Sequence, residues 1–469
     1  MDLNDAMIEK ISKRVEMLFT TRNGLDDLEN VSIKDVIQKK LFPYQILHLF
    51  NMITAIKNND CVIDGSTTGL GKTYTSAALC SQLNYKPIII CTKTMMSTWK
   101  RVLEYFNVDY IMIVNYETIR TGKYYDANNN KVDCPYITKE KNGFKWNLDL
   151  LPSSNKHKNI PIIIFDEVHR CRNSKSLNGK LLLSCKKIKN IMISATLCDK
   201  NKDFGIFGVM LGFYRNVGQG KSWMEAIIRE NKNQISKNKV NMLHKYLFPE
   251  KGSKMSIEDM GNDFPKNIVS FDCFDVDIDD MTKINNYYTK IKKNNDISKL
   301  SEIIKMREFT ENIKSDIFID LMMDYRDQGK SIVLFVNFVS TFDIICTYLD
   351  KENVAYSKIC GNQTIEDRET QINNFQSNDV DIIVCMIQAG GTSLSLHDIN
   401  DKPRVSIISP SFSRIELLQA LGRIYRAGTK SLCLQRVIYC SNTYEELISK
   451  KINEKKQTLD LLTDDDVCM

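Results

Sequence analysis

A short apolar run, Cys61-Val62-Ile63, leads through Ser66-Thr67-Thr68-Gly69-Leu70-Gly71-Lys72-Thr73 into a helical stretch from Tyr74 to Leu83. Strand, glycine-bearing turn and helix in that order leave few folds open. Such a turn aims backbone N–H groups and a helix N-terminus at a phosphate. Lys72 adds a point charge for the β- and γ-phosphates of a nucleotide, and Thr73 adds a hydroxyl for Mg²⁺. Ser66 stands where the usual pattern has glycine, so the strict pattern is missed by one residue. Gly-Lys-Thr alone would be an ordinary glycine-rich turn. The strand before it and the helix after it make it a phosphate loop.

The surrounding runs share one rhythm. Pro87 to Cys91, Ile111 to Val114, Ile160 to Phe165 and Ile191 to Thr196 are short continuous apolar runs, the pattern of strands buried on both faces of a parallel sheet. With the strand before Lys72 they make five, alternating with helices, hence a parallel α/β domain. Ligands bind such sheets at the carboxyl ends of the strands. Those ends carry Thr92-Lys93-Thr94, Asn115-Tyr116-Glu117-Thr118, Asp166-Glu167-Val168-His169 and Ser194-Ala195-Thr196. Asp166 is placed to hold Mg²⁺ through its water shell, and Glu167 to orient or deprotonate an attacking water. Gln45, in Phe42-Pro43-Tyr44-Gln45, offers one donor and one acceptor to an adenine edge. Trp99 reads as core packing.

Two stretches break the rhythm. Residues 122–160 interleave Tyr124, Tyr125, Tyr136, Phe144 and Trp146 with Lys123, Lys131, Lys139, Lys141 and Lys145 around an Asn142-Gly143 turn. A nucleic-acid strand stacked on the rings, or a surface hairpin with solvated lysines, both fit. Residues 216–315 are richer in charge and read as mainly helical, with one strand near Ile268 to Val276.

A second α/β unit follows, with strands at Ser331 to Val336, Asp381 to Cys385 and Arg404 to Ile408. Asn337 sits at the tip of the first. Gln388 to Leu396 is a small-residue loop that lets backbone approach a ligand. Gln419 to Arg426 reads as a helix with Arg423 and Arg426 on one face, able to stabilise charge on a γ-phosphate. This unit has no phosphate loop, so it complements the first.

Composition narrows the rest. The 469 residues allow roughly two to four domains, and the 43% hydrophobic fraction suffices for buried cores. No apolar run approaches a membrane span, and no secretory signal pattern opens the chain. The 14 cysteines are scattered without a Cys-x-x-Cys pair, and the five histidines form no cluster. That argues against structural zinc and a disulfide framework and for a reducing compartment. A net charge of +6 permits a polyanionic partner without demanding one.

Taken in order, Phe42 to Gln45, the Lys72 loop, Asp166 to His169, Ser194 to Thr196, Gln388 to Leu396 and Gln419 to Arg426 resemble the ordered motifs of a superfamily 2 helicase or translocase. Ser97-Thr98-Trp99-Lys100, Asn115 to Thr118, His169-Arg170 with Asn173, and Ala389-Gly390-Gly391 with Leu394 and Leu396 are similar to the Swi/Snf-like branch. The resemblance spans about residues 41–440 and implies two RecA-like parallel-sheet domains in tandem, joined by a mainly helical linker. The implied limits are an N-terminal helical extension at 1–40, an ATP-binding domain at 41–215, the linker at 216–315, a helicase C-terminal domain at 316–445, and a helix with an acidic tail at 446–469. It implies ATP and Mg²⁺ as cofactors. Ser66, Thr67, Thr68, Gly69, Leu70, Gly71, Lys72 and Thr73 would hold the phosphates, Gln45 would read adenine, and Thr73 and Asp166 would hold the metal. Glu167 would be the base, with Gly391 near the nucleotide and Arg423 and Arg426 on the γ-phosphate. Thr92, Lys93, Asn337 and Thr392 would touch the nucleic acid, and Ser194, Thr196 and Gln419 would couple hydrolysis to movement. Val168 departs from the usual alanine, and Ser194-Ala195-Thr196 matches general helicases better than the branch.

The expectation is a nucleic-acid-dependent ATPase that translocates on DNA or unwinds it, with DNA ahead of RNA as partner and no membrane association. An RNA helicase and a catalytically silent nucleic-acid-binding protein are the alternatives. The retained Lys72, Asp166, Glu167, Arg423 and Arg426 count against silence. The implied setting is intracellular: nucleus or cytoplasm, or the viral factory or virion for a chain of a large DNA virus, whose helicases such a compact motor also resembles.

Overall fold

The computed structural model describes residues 32–147, 150, 160–195, 204–230, 246–256, 267–293, 299–390, 394–411, 414–426, 428–441, 443 and 445. Thr196, Gly391, Thr392, the stretch 231–245 and the terminal extensions lie outside the described residues. The chain divides into two compact units, one holding the described residues through Ser256 and the other those from Asn267.

The first unit is built on a six-stranded sheet. Its strands are β1 (Cys61–Asp64), β2 (Tyr85–Cys91), β3 (Met112–Asn115), β8 (Ile160–Asp166), β9 (Asn190–Ile193) and β10 (Gly252–Ser253). They run in the order β10-β1-β9-β8-β2-β3, and every pairing is parallel. Between β3 and β8 the chain makes two antiparallel ribbons, β4 (Lys123–Tyr125) with β5 (Lys131–Asp133) and β6 (Ile137–Glu140) with β7 (Gly143–Trp146).

The continuous apolar runs are explained by burial on both faces. Successive residues of a strand point to opposite sides. Ile88, Ile90, Ile163 and Phe165 enter one core cluster, while Ile89, Cys91, Ile162 and Ile164 enter the other. Ile88, Ile89, Ile90, Ile162, Ile163 and Ile164 are all fully buried, and each such side chain contributes roughly 1.5–3 kcal/mol. Helices α1 (Pro43–Asn58), α2 (Lys72–Leu83) and α3 (Met96–Tyr105) help form the second cluster, and α4 (Leu177–Ser184) packs within the first.

The ribbon aromatics face inward. Phe144 and Trp146 are buried in the first cluster, Tyr124, Tyr125 and Tyr136 pack against it, and the Trp146 indole donates to Ser184 Oγ at 3.0 Å. Lys131, Lys139, Lys141 and Lys145 are exposed. The surface-hairpin reading therefore fits the described part of this region, with Phe144 and Trp146 committed to the core and Tyr124, Tyr125 and Tyr136 half-buried against it.

The second unit repeats the plan. Its sheet holds β11 (Asn267–Phe274), β12 (Ser331–Val336), β13 (Tyr356–Ile359), β14 (Ile382–Met386), β15 (Arg404–Ile408) and β16 (Cys433–Cys440), in the order β11-β16-β15-β12-β14-β13. All pairings are again parallel. Val333 and Phe335 face one core, and Ile332, Leu334 and Val336 the other. The stretch 216–315 is helical for much of its length but also supplies β10 to the first sheet and β11 to the second. Among the described residues, no helix is long and apolar enough to cross a membrane.

Candidate functional site

The first unit gathers its chemistry at the carboxyl ends of β1, β2, β8 and β9. After β1 the chain turns through Gly69 and Gly71, both with positive φ, and enters α2 at Lys72. Glycine is needed at position 71 twice over: φ is +86°, and a Cβ there would meet Gln45 Nε2 at 2.3 Å. That nitrogen donates to the Leu70 carbonyl at 3.0 Å, and Gln45 Oε1 accepts the Phe42 N–H at 3.0 Å. Gln45 thus pins the phosphate loop to the start of α1. One N–H and one lone pair of its amide remain for an adenine edge. Lys72 Nζ folds back onto the Ser66 and Thr67 carbonyls at 2.9 and 3.2 Å. Thr73 follows in the first turn of α2.

Asp166 ends β8 and is 6% exposed. Burial, and then the Glu167 charge beside it, push its carboxyl up to about 6, while the Trp99 indole and the Lys72 cation oppose the rise. The indole Nε1 of fully buried Trp99 donates to Asp166 Oδ2 at 2.9 Å, and the Tyr116 hydroxyl donates to the Asp166 carbonyl at 2.8 Å. Trp99 is core packing, as its sequence context suggests, and also the donor that aims the carboxylate. Nothing in its sequence position announces that contact, because the partners lie on different strand–helix units. A carboxylate strained by burial and by a like charge, with the Lys72 charge acting on it, is a donor suited to a hard divalent cation with nucleotide phosphates.

Glu167 sits in the left-handed region at φ 55°. A non-glycine residue held there is uncommon and marks a site where the fold fixes the backbone. Its Oε2 is 3.2 Å from His169 Nδ1, which is itself 3.2 Å from Ser194 Oγ. The Ser194 N–H in turn reaches the Asp64 carbonyl at 3.1 Å. A continuous contact path therefore runs from Glu167 through His169 and Ser194 to the end of β1, beside the phosphate loop. Thr92 is buried, with its hydroxyl 3.2 Å from that of Thr94, and Lys93 is exposed.

In the second unit, Asn337 is committed inward. Its amide donates to Glu311 Oε2 at 2.6 Å and to the Pro410 carbonyl at 3.1 Å, so both side-chain hydrogens are used. Glu311 also accepts from the backbone N–H groups of Asn337 and Phe338 and from Ser409 Oγ, tying together the tips of β12 and β15. Gln419 is buried in a helix that ends at Leu421. The helix face expected for Arg423 and Arg426 is absent, because the chain turns at Gly422 and the Arg423 carbonyl is taken by the Leu396 N–H at 3.0 Å. Both arginines still converge. Arg423 donates to the Leu394 carbonyl at 3.2 Å, and Arg426 to Ser395 Oγ at 2.7 Å. The arginine segment is thus laced to the loop that follows Gly391 and Thr392.

Comparison with known proteins bears on both units. Residues 38–199 match the family of the type III restriction enzyme res subunit, and residues 313–428 match the helicase conserved C-terminal domain. A protein of Acanthamoeba polyphaga mimivirus, named provisionally as an ATP-dependent RNA helicase, is 36% identical over 467 residues, covering 91% of this chain and 84% of its own length. The chromodomain-helicase-DNA-binding protein 1-like of Danio rerio is 21% identical over 91% of this chain, which spans 44% of that relative. The solved Swi2/Snf2 ATPase core of Sulfolobus solfataricus in complex with double-stranded DNA aligns over 89% of this chain and 91% of its own, at 18% identity and a TM-score of 0.36.

Proposed function

This chain belongs to the superfamily 2 helicases and translocases of the Swi/Snf-like kind, with a relative in a large DNA virus, and from that premise we propose that it is an ATPase driven by nucleic acid that translocates along DNA or unwinds it. The observation that carries the reading is the meeting, at the carboxyl end of one sheet, of the Lys72 loop with buried Asp166 and its partly exposed neighbour Glu167. Lys72 and the loop amides would bind the β- and γ-phosphates, and Gln45 would select adenine. Thr73 and Asp166 would hold Mg²⁺, which supplies charge neutralisation on the phosphates. Glu167 would take the proton of the attacking water. The path Glu167–His169–Ser194 would carry the change in charge toward the loop. Arg423 and Arg426 would leave Leu394 and Ser395 for the γ-phosphate, freeing the loop that includes Gly391 and Thr392. Thr92, Lys93 and Thr392 would meet the polymer's phosphates. Asn337 would act through its carbonyl and Oδ1 as acceptors, since its side-chain hydrogens and its backbone N–H are spent.

The ATP-binding half is assigned to the stretch from residue 41 through β10 and the helicase C-terminal half to that from β11 to residue 445, which moves the sequence-derived limits of 215 and 316. DNA is the proposed track, and a reducing intracellular compartment the proposed setting. RNA is the second reading, favoured by the name of the mimivirus relative. The test is Lys72→Ala in a steady-state ATPase assay. The expected loss is at least about a hundredfold. Hydrolysis at the parent's rate would remove the assigned site.

A further inference from the structure

The foot of the phosphate loop holds a buried histidine–aspartate pair that the ATPase reading leaves unused. His48 lies on α1 and is 2% exposed, and Asp64, the last residue of β1, is fully buried. His48 Nε2 stands 3.0 Å from Asp64 Oδ2, off the line of a well-angled hydrogen bond, and His48 Nδ1 has no hydrogen-bond partner among the described residues. The other oxygen, Asp64 Oδ1, accepts the backbone N–H of Ser66 at 3.0 Å. Ser66 opens the phosphate loop, and its Oγ accepts the Met255 N–H at 2.9 Å. Lys72 is a further charge acting on Asp64, and Asn51 of α1 reaches Ser253 Oγ of β10, the strand partner of Asp64, at 3.4 Å. Burial favours the neutral form of Asp64, but His48, Lys72 and the Ser66 bond together hold the carboxyl below its usual range. A buried polar pair of this kind is weak evidence of stability, since apolar replacements of the same shape are often neutral. What this pair does that an apolar pair would not is fix the first amide of the loop.

We propose that His48 is a positioning residue for the nucleotide: acting through Asp64, it sets the Ser66 end of the phosphate loop and thereby the affinity for the nucleotide's phosphates, without touching nucleotide or reacting atoms. The proposal rests on the phosphate-loop reading above. It predicts a split between binding and chemistry. Asp166 and Glu167 have no direct contact with the pair among the described residues, and the path through Ser194 ends on the Asp64 backbone carbonyl rather than its carboxylate, so the rate at saturating ATP is preserved while affinity falls.

The experiment titrates the full chain with a fluorescent methylanthraniloyl-ADP and Mg²⁺, alongside steady-state ATPase rates. Lys72→Ala controls for the phosphate-loop reading itself; if it binds the probe as tightly as the parent, that reading fails and this proposal with it. With Lys72→Ala impaired, His48→Ala should bind about tenfold more weakly, because the Asp64 carboxylate that holds the Ser66 N–H loses its 3.0 Å contact with the imidazole. Its KM for ATP should rise in step while kcat stays within about twofold. His48→Gln, which returns an N–H donor near the Nε2 position, should recover binding to within about threefold of the parent. Parent-like binding by His48→Ala overturns the proposal. So does His48→Gln as weak as His48→Ala, which would assign the effect to packing alone.

Discussion

Trp99→Phe keeps a ring in the core and removes the indole N–H that reaches Asp166 Oδ2 at 2.9 Å. Burial and the Glu167 charge already hold the Asp166 carboxyl up to about 6, with the indole and Lys72 pulling the other way. A hydrogen bond to a charged group contributes roughly 1.5–3 kcal/mol, and about 1.36 kcal/mol corresponds to one pKa unit. Losing the indole should therefore raise the carboxyl by roughly one to two units, taking it to neutrality or above. At pH 7 the parent carboxylate is mostly ionised, whereas that of the variant is half or more protonated and holds Mg²⁺ poorly. The assay is the ATPase rate at limiting Mg²⁺ across about pH 5.5 to 9.5. The acid limb should move up by about one to two pH units, with variant and parent converging on the alkaline side. An acid limb that stays at the parent's position, beneath a uniformly lower plateau, would refute the argument and reduce Trp99 to packing.

Two other perturbations test the second unit. Glu311→Gln places an amide donor among the backbone N–H groups of Asn337 and Phe338, which now share a carboxylate; it should destabilise that unit by roughly 2–4 kcal/mol in urea unfolding. His397 has its pKa lowered from 6.5 to about 4 by burial and then by Arg426 and Arg404. The unfolded chain takes up this proton first, so the stability contributed by neutral His397 is complete above pH 6.5 and is lost as pH falls toward about 4, by at most about 3 kcal/mol. His397→Gln should flatten that limb of a stability-against-pH curve.

Much of the fold was legible because burial on both faces of a parallel sheet forces continuous apolar runs. Ile88-Ile89-Ile90 and Ile162-Ile163-Ile164 are strands for that reason, and each of their residues enters one of two cores. Elements that depend on long-range pairing were not legible. Gly252 and Ser253 form a strand only because Ile63 and Asp64 lie beside them. Cys433–Cys440, mixed in polarity, is a strand because it sits between β15 and β11. In the candidate site, Lys72, Asp166 and Glu167 were readable from position at strand ends. Their orienting partners were not. Trp99 reads as core packing in sequence, Tyr116 only as part of a strand-end motif and His48 as no site residue at all, and only the fold brings them to the Asp166 carboxylate, the Asp166 carbonyl and the Asp64 carboxylate. Helical spacing also misled at Arg423 and Arg426, where Gly422 and the Leu396 N–H end the helix early.

The most direct test of the central claim is the ATPase rate of the purified chain, alone and with single-stranded DNA, duplex DNA, single-stranded RNA or duplex RNA, with Lys72→Ala alongside. The account predicts a rate raised most by DNA and lost in the variant. Stimulation by RNA alone would contradict the proposed track. A rate indifferent to every polymer would contradict the motor itself.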